Sequence, residues 1–149
     1  MDIEDGAQDS ENGGICAVSF PNIDSLQARV FRGNWLHLDP PRHLSYWRPS
    51  DFVRQMAGLG LTLEKKSFAN LEQNPFRMIQ SILNCATKRR DILYESLRGN
   101  RDYLAGVSRL MVLAQRLFLV ATFPVFVLSD LIVSALGKGA TVQLILRKT

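Results

Sequence analysis

A chain of 149 residues is long enough for one domain with a real core. Its apolar share of 46% and mean hydropathy of -0.01 lie on the high side for a soluble domain and fit a small α/β unit. The net charge of +4 comes partly from a Lys88-Arg89-Arg90 cluster and partly from scattered arginines, with no basic stripe interleaved with aromatics, so no nucleic-acid partner is expected.

Residues 1–12 hold Asp2, Glu4, Asp5, Asp9 and Glu11 among Gly6, Ser10 and Asn12, the composition of a solvated, mobile tail. Gly13-Gly14 turns the chain into an apolar run, Ile15-Cys16-Ala17-Val18-Ser19-Phe20, which Pro21-Asn22 stops. A continuous apolar run of this length predicts a strand buried on both faces. Next comes Asn34-Trp35-Leu36-His37-Leu38-Asp39-Pro40-Pro41-Arg42-His43-Leu44. The paired prolines fix φ and lack N–H donors, so this is neither helix interior nor central strand. It reads as a stiff loop presenting reactive side chains, and loops held by a scaffold are where function concentrates.

Pro49-Ser50-Asp51 opens a helix, with Ser50 as the N-cap and Asp51 in the first turn. Phe52, Val53, Met56 and Leu59 give it one apolar face, and Gly58 and Gly60 stop it. Residues 61–68 predict a second strand. Asn74-Pro75 starts an amphipathic helix, capped by Asn74, with a stripe of Phe76, Ile79, Leu83 and Ala86. It is expected to run past the basic cluster to Leu97, before Gly99-Asn100. A further helical pattern starts near Asp102 and becomes strongly apolar. Residues 117–136 carry one charge, Asp130, and one proline, Pro124, over about the length of a bilayer span. Pro124 predicts a kink or break there. The order of strand, loop, helix and strand over residues 15–68 is that of an α/β protein.

Gly13-Gly14 leading to Phe20-Pro21-Asn22, then Asn34-Trp35, then Pro41-Arg42-His43-Leu44, then a helix ending at Gly60-Leu61, resembles the C-terminal half of a class I S-adenosylmethionine-dependent methyltransferase of the group with a W…PRHL segment. The resemblance covers residues 12–70 and, weakly, the last ten or so. It implies a partial Rossmann-like fold over residues 13–149 with a helical insertion at about 74–138 before a final antiparallel strand. It also implies that the loop after Pro21-Asn22 faces the methyl acceptor. The family holds its cofactor with a glycine-rich loop and an acidic residue for the ribose, and this chain carries no such element. On the resemblance the first four strands would lie ahead of Met1, so the chain is expected to be a truncated reading frame or one piece of a split protein, inactive alone and prone to self-association through an exposed strand edge. Asp39-Pro40-Pro41 is a near miss to the Asp-Pro-Pro-Tyr motif of amino-group methyltransferases, since Arg42 follows where an aromatic is required.

The candidate site residues each have a bland reading beside the chemical one. His43 is the candidate general base, or a brace for the diproline loop. Arg42 either binds an acidic acceptor or the cofactor carboxylate, or pairs with a neighbouring carboxylate such as Asp39. Trp35 and Tyr46 either wall the acceptor or pack the loop. Asn22 lies at a strand's C-terminal end, where open α/β sheets bind ligands, and is otherwise a turn residue. His37 is expected at the loop surface. Cys16 and Cys85 are expected to be small buried hydrophobes in a reducing compartment.

For residues 117–136 three readings stand open: a helix packed over the sheet, an interfacial anchor with its flanking basic residues near anionic head groups, or a span. A span would separate the last strand from its sheet. A cytoplasmic chain, with contact at the membrane surface and a small-molecule or lipid-like acceptor, is expected. The alternative function is a non-catalytic membrane-associating subunit. No signal-peptide pattern opens the sequence.

Overall fold

The computed structural model of the chain describes residues 13–38 and 45–149. The acidic tail and the Asp39-to-Leu44 loop, with Arg42 and His43, lie outside the described residues. The fold is mixed α/β. Strands β1 (Ile15–Pro21), β2 (Leu61–Ser67) and β3 (Thr141–Lys148) form a three-stranded sheet of order β1-β3-β2. β3 runs antiparallel to both neighbours, so β1 and β2 point the same way. A bulge between Leu63 and Lys65 offsets the second pairing, and Glu64 beside it accepts from Arg147 at 3.0 Å.

β1 is buried on one face only, which corrects the two-sided reading of its apolar run. Cys16, Val18 and Phe20 turn inward opposite Leu146, Leu144 and Val142, while Ile15, Ala17 and Ser19 are exposed. Helix α1 (Leu26–Phe31), which the sequence reading did not anticipate, begins at Ser25, whose hydroxyl accepts from the Ala28 N–H. A short 3-10 turn, Arg32–Asn34, follows it.

Helix α2 (Pro49–Gly58) covers the inward sheet face with Phe52 and Met56. Phe52 packs its ring 4.8 Å from that of Phe20. Each such side chain, fully buried, stabilises the fold by about 1.5–3 kcal/mol. The cap of α2 is Arg48, not Ser50, with Pro49 in the first turn where its missing N–H costs nothing. Asp51 is in the first turn as expected and accepts from Arg54 at 2.6 Å. Gly60, at φ 77, takes the left-handed turn into β2.

Between β2 and β3 lie three helices: α3 (Asn74–Ala86), α4 (Ile92–Leu97) and α5 (Arg109–Ala135). α3 stops at Ala86 instead of running to Leu97, and Asp91, at φ 54, starts α4 after the basic cluster. Of the expected α3 stripe, Ile79 is buried, Phe76 and Leu83 are half-buried and Ala86 is exposed. Asn74 does not cap the helix with its side chain; its amide instead donates to the Phe68 carbonyl and to Asp130. Cys16 is half-buried and Cys85 is exposed, so the expectation of two buried thiols is corrected.

α5 is continuous through Pro124, without the expected break, and packs along α3 and α4. Its polarity is inverted. The buried residues are Gln115, Asp130 and Ser134. Leu113, Leu117, Val120, Val125, Leu128 and Ile132 are each more than half exposed.

Candidate functional site

The candidate site grows from the C-terminal end of β1. Pro21 ends the strand, and Asn22 then fixes the direction in which the chain leaves. Its N–H donates to the Ala140 carbonyl at 2.9 Å, its side-chain amide donates to the Gly139 carbonyl at 3.0 Å, and its side-chain oxygen accepts from the Asp24 N–H at 3.0 Å. Asn22 also forms a parallel bridge with Trp47. Both ends of the amide are thus engaged in bracing the turn, and the side chain is buried. This is the turn role that the sequence allowed beside ligand binding.

Trp35 is fully buried. It sits in a second core with Ala28, Phe31 and Ala140, flanked by Ile23, Leu38, Tyr46, Met78 and Ile82. Tyr46 lies 6.5 Å from it, ring to ring, and its hydroxyl donates to the His37 carbonyl at 3.0 Å. These two aromatics pack together and join residues on either side of the undescribed segment.

His37 is 2% exposed, not a surface residue, and its ring lies 4.7 Å from that of Trp35. Arg77 of α3 reaches it. One guanidinium nitrogen meets His37 Nδ1 in a short contact and stands 3.0 Å from Nε2. The other donates to the Gln73 side chain at 2.7 Å. The guanidinium thus lies against the buried imidazole and touches both of its ring nitrogens. Burial holds the Arg77 pKa below its usual value, the penalty for keeping a cation out of water, with a smaller opposing effect of Tyr94.

α3 and the turn after it hold the rest of the loop. The Ser81 hydroxyl accepts from the Leu36 N–H at 3.0 Å, and Asn84 donates to the Asn34 carbonyl at 3.3 Å. Arg90 donates to the carbonyls of Gly33 at 2.8 Å and Trp35 at 3.3 Å. Every one of these bonds fixes main chain, so residues 33–38 form a rigid platform. The Pro40-Pro41-Arg42-His43 segment continues directly from it, outside the described residues. The structure therefore joins Asn22, Trp35, Tyr46 and His37 around one loop and adds Arg77, Ser81, Asn84 and Arg90. The sequence carried a signal for three of these additions: Arg77, Ser81 and Asn84 recur at the spacing of one helix face.

Among the described residues no group of three or more His, Cys, Asp or Glu side chains is placed to hold a metal ion. Nor is there a glycine-rich turn between a strand and a helix N-terminus that would cradle a nucleotide-like cofactor. Comparison with protein-family models, curated proteins and solved structures finds no match to this chain.

Proposed function

We propose that this chain forms the acceptor-side portion of an S-adenosylmethionine-dependent methyltransferase. The observation that carries the reading is the strand arrangement. β1 and β2 run parallel, and the last strand in sequence lies antiparallel between them. The W…PRHL resemblance implies a final antiparallel strand, and a last strand in this position supports the reading, with Pro21-Asn22 ending β1 and the Trp35 segment next in sequence. On this reading the sheet is the C-terminal part of a Rossmann-like one, and further parallel strands would add to the outer edge of β1, which pairs with no other strand among the described residues.

The residues of this chain do not fit the cofactor. Its binding is assigned to a glycine-rich segment outside these 149 residues, and no step is derived through it. What the chain supplies is the acceptor's surroundings. On the resemblance Arg42 and His43, which lie outside the described residues, face the acceptor. His43 takes the proton from the acceptor oxygen or nitrogen, leaving its electron pair free to attack. Arg42 holds an anionic part of a small-molecule or lipid-like acceptor.

The test reads the frame upstream of Met1 for a glycine-rich strand–loop–helix, joins such a segment to this chain and measures transfer of labelled methyl groups; a frame without one overturns the reading. The joined protein should transfer, and His43→Ala should lower turnover about a hundredfold or more with cofactor affinity nearly unchanged. The 149-residue chain alone should show no calorimetric binding of S-adenosylmethionine. Micromolar affinity of the chain alone, or full turnover in His43→Ala, removes the proposed division of roles.

A further inference from the structure

α5 presents its surface the wrong way round for water. A surface helix of a soluble domain turns its apolar stripe to the core and its polar face outward. Here the polar residues Gln115, Asp130 and Ser134 are buried, while Phe118, Leu119, Phe123, Phe126 and Val127 are only half-buried and most of the other apolar residues are exposed. The outward side runs through Leu113, Leu117, Val120, Leu128 and Ile132 with no acidic residue of the helix on it, and Glu72, which shares a depression with Val120 and Phe123, is the acid beside it. Its 27 residues extend about 40 Å. An apolar surface of that length on a monomer marks an interaction site.

The charges at the two ends indicate what covers it. At the N-terminal end Arg98, Arg101 and Arg109 are exposed, against Glu95 and Asp102. At the C-terminal end Lys138 is exposed, and Lys66 shares a surface depression with Leu131 and Ala135. An apolar strip with cations at both ends is complementary to a bilayer surface, where acyl chains lie beneath anionic head groups. The helix cannot cross that bilayer. It is tied to the body near its start, where Arg116 donates to the Ser96 carbonyl at 2.8 Å, and near its end, where Asp130 meets Asn74 and the Ser134 hydroxyl donates to the Phe68 carbonyl at 3.0 Å. β3 then returns at once to the sheet.

We propose that the outward face of α5 docks this chain on an anionic lipid bilayer, the helix lying flat at the level of the head groups. The surface goes beyond the methyltransferase reading and does not depend on it.

The probe is vesicle flotation of the full chain. Phosphatidylcholine vesicles with about 30% phosphatidylglycerol should carry it at low salt at least about tenfold better than phosphatidylcholine alone, and salt should weaken the difference. Leu117→Glu with Leu128→Glu should cut flotation at least about tenfold while circular dichroism stays that of the parent, since both side chains point away from the body. Leu113→Trp, Val120→Trp and Leu128→Trp, read with brominated lipids, should report one shared shallow depth. A crossing helix would separate the first and last by about 22 Å. A depth gradient of that kind overturns the flat geometry. A chain that stays in the aqueous fraction at low salt overturns the proposal. So does a discrete dimer in sedimentation that the two glutamates dissolve, because the face is then covered by a second copy.

Discussion

Asp130 is the sharpest test of how α5 is held. Its side chain is buried against α3, with the carboxylate 3.4 Å from the Asn74 amide nitrogen, a long contact. Ser134 also lies within hydrogen-bonding reach, but its single hydroxyl proton is given to the Phe68 carbonyl. The other Asn74 N–H goes to Phe68 as well. The charged acid thus has one poor donor for four lone-pair sites, and among the described residues no cation pairs with it. Burial raises its pKa above the ordinary 3.8, and the neighbouring Asn74 and Ser134 side chains offset only part of the rise. The Asn74 side-chain oxygen, meanwhile, is buried with no donor facing it among the described residues. Because the folded pKa is the higher one, the folded chain keeps the proton longer than the unfolded chain. The associated stability is complete below pH 3.8 and is lost as the pH rises through the raised value. Asp130→Asn keeps the shape and removes the charge. It should stabilise the chain at pH 7 by about 1–2 kcal/mol, the cost of an under-satisfied buried polar group. For a domain of this size that raises the thermal midpoint by about 3–8 °C. Thermal unfolding followed by circular dichroism from pH 3 to pH 8 should show the two curves converging at the acidic end. Parallel curves, or a variant less stable at pH 7, would refute the assignment of an under-satisfied carboxylate.

Trp35→Ala should cost about 3–5 kcal/mol, because it empties the centre of the second core. Trp35→Phe should cost clearly less, since the indole N–H that it removes has no partner among the described residues; urea titrations of both variants check this. Gly139→Ala should destabilise by about 1–3 kcal/mol, because its Cβ would stand 2.3 Å from the Phe68 carbonyl oxygen and 2.7 Å from the Ser134 hydroxyl. A midpoint equal to the parent's would show that the Phe68–Ser134 junction gives way freely.

The sheet was legible because its signals are local. Gly13-Gly14 and Pro21-Asn22 bracket β1 and Gly60 opens β2, while β3 was expected from the resemblance. What escaped depends on which surfaces meet. β1 looked two-sided because every residue but Ser19 is apolar, yet burial is decided by the layer above it, and only α2 supplies one. α1 escaped because six residues are too few for a periodic pattern. His37 resembled any polar loop residue. Its burial depends on Arg77, forty positions away, reaching across from α3. Arg90 looked like part of a solvated basic run, while its neighbours Lys88 and Arg89 are the exposed ones.

The same comparison explains why the chain carries its polar groups inside. Asn74, Gln80, Ser81 and Asn84 are buried along α3, and Gln115, Asp130 and Ser134 along α5. Gln80 donates to Asn84 at 2.8 Å and accepts from the Tyr94 N–H at 2.9 Å, so part of this interior is a matched network that fixes one arrangement of helices. Gln115 is buried with neither end of its amide partnered among the described residues. In water alone, exchanging such an inward face for the leucines outside would be the more stable packing, since apolar burial is the dominant favourable term in folding. A helix whose outer face lies in lipid feels no such drive, because acyl chains are as apolar as leucine. The polar groups are then better placed facing the protein, where hydrogen-bond partners exist. On the docking proposal the helical layer between β2 and β3 is organised for two solvents: the polar interior holds α5 to the body, and α5 turns an apolar flank outward.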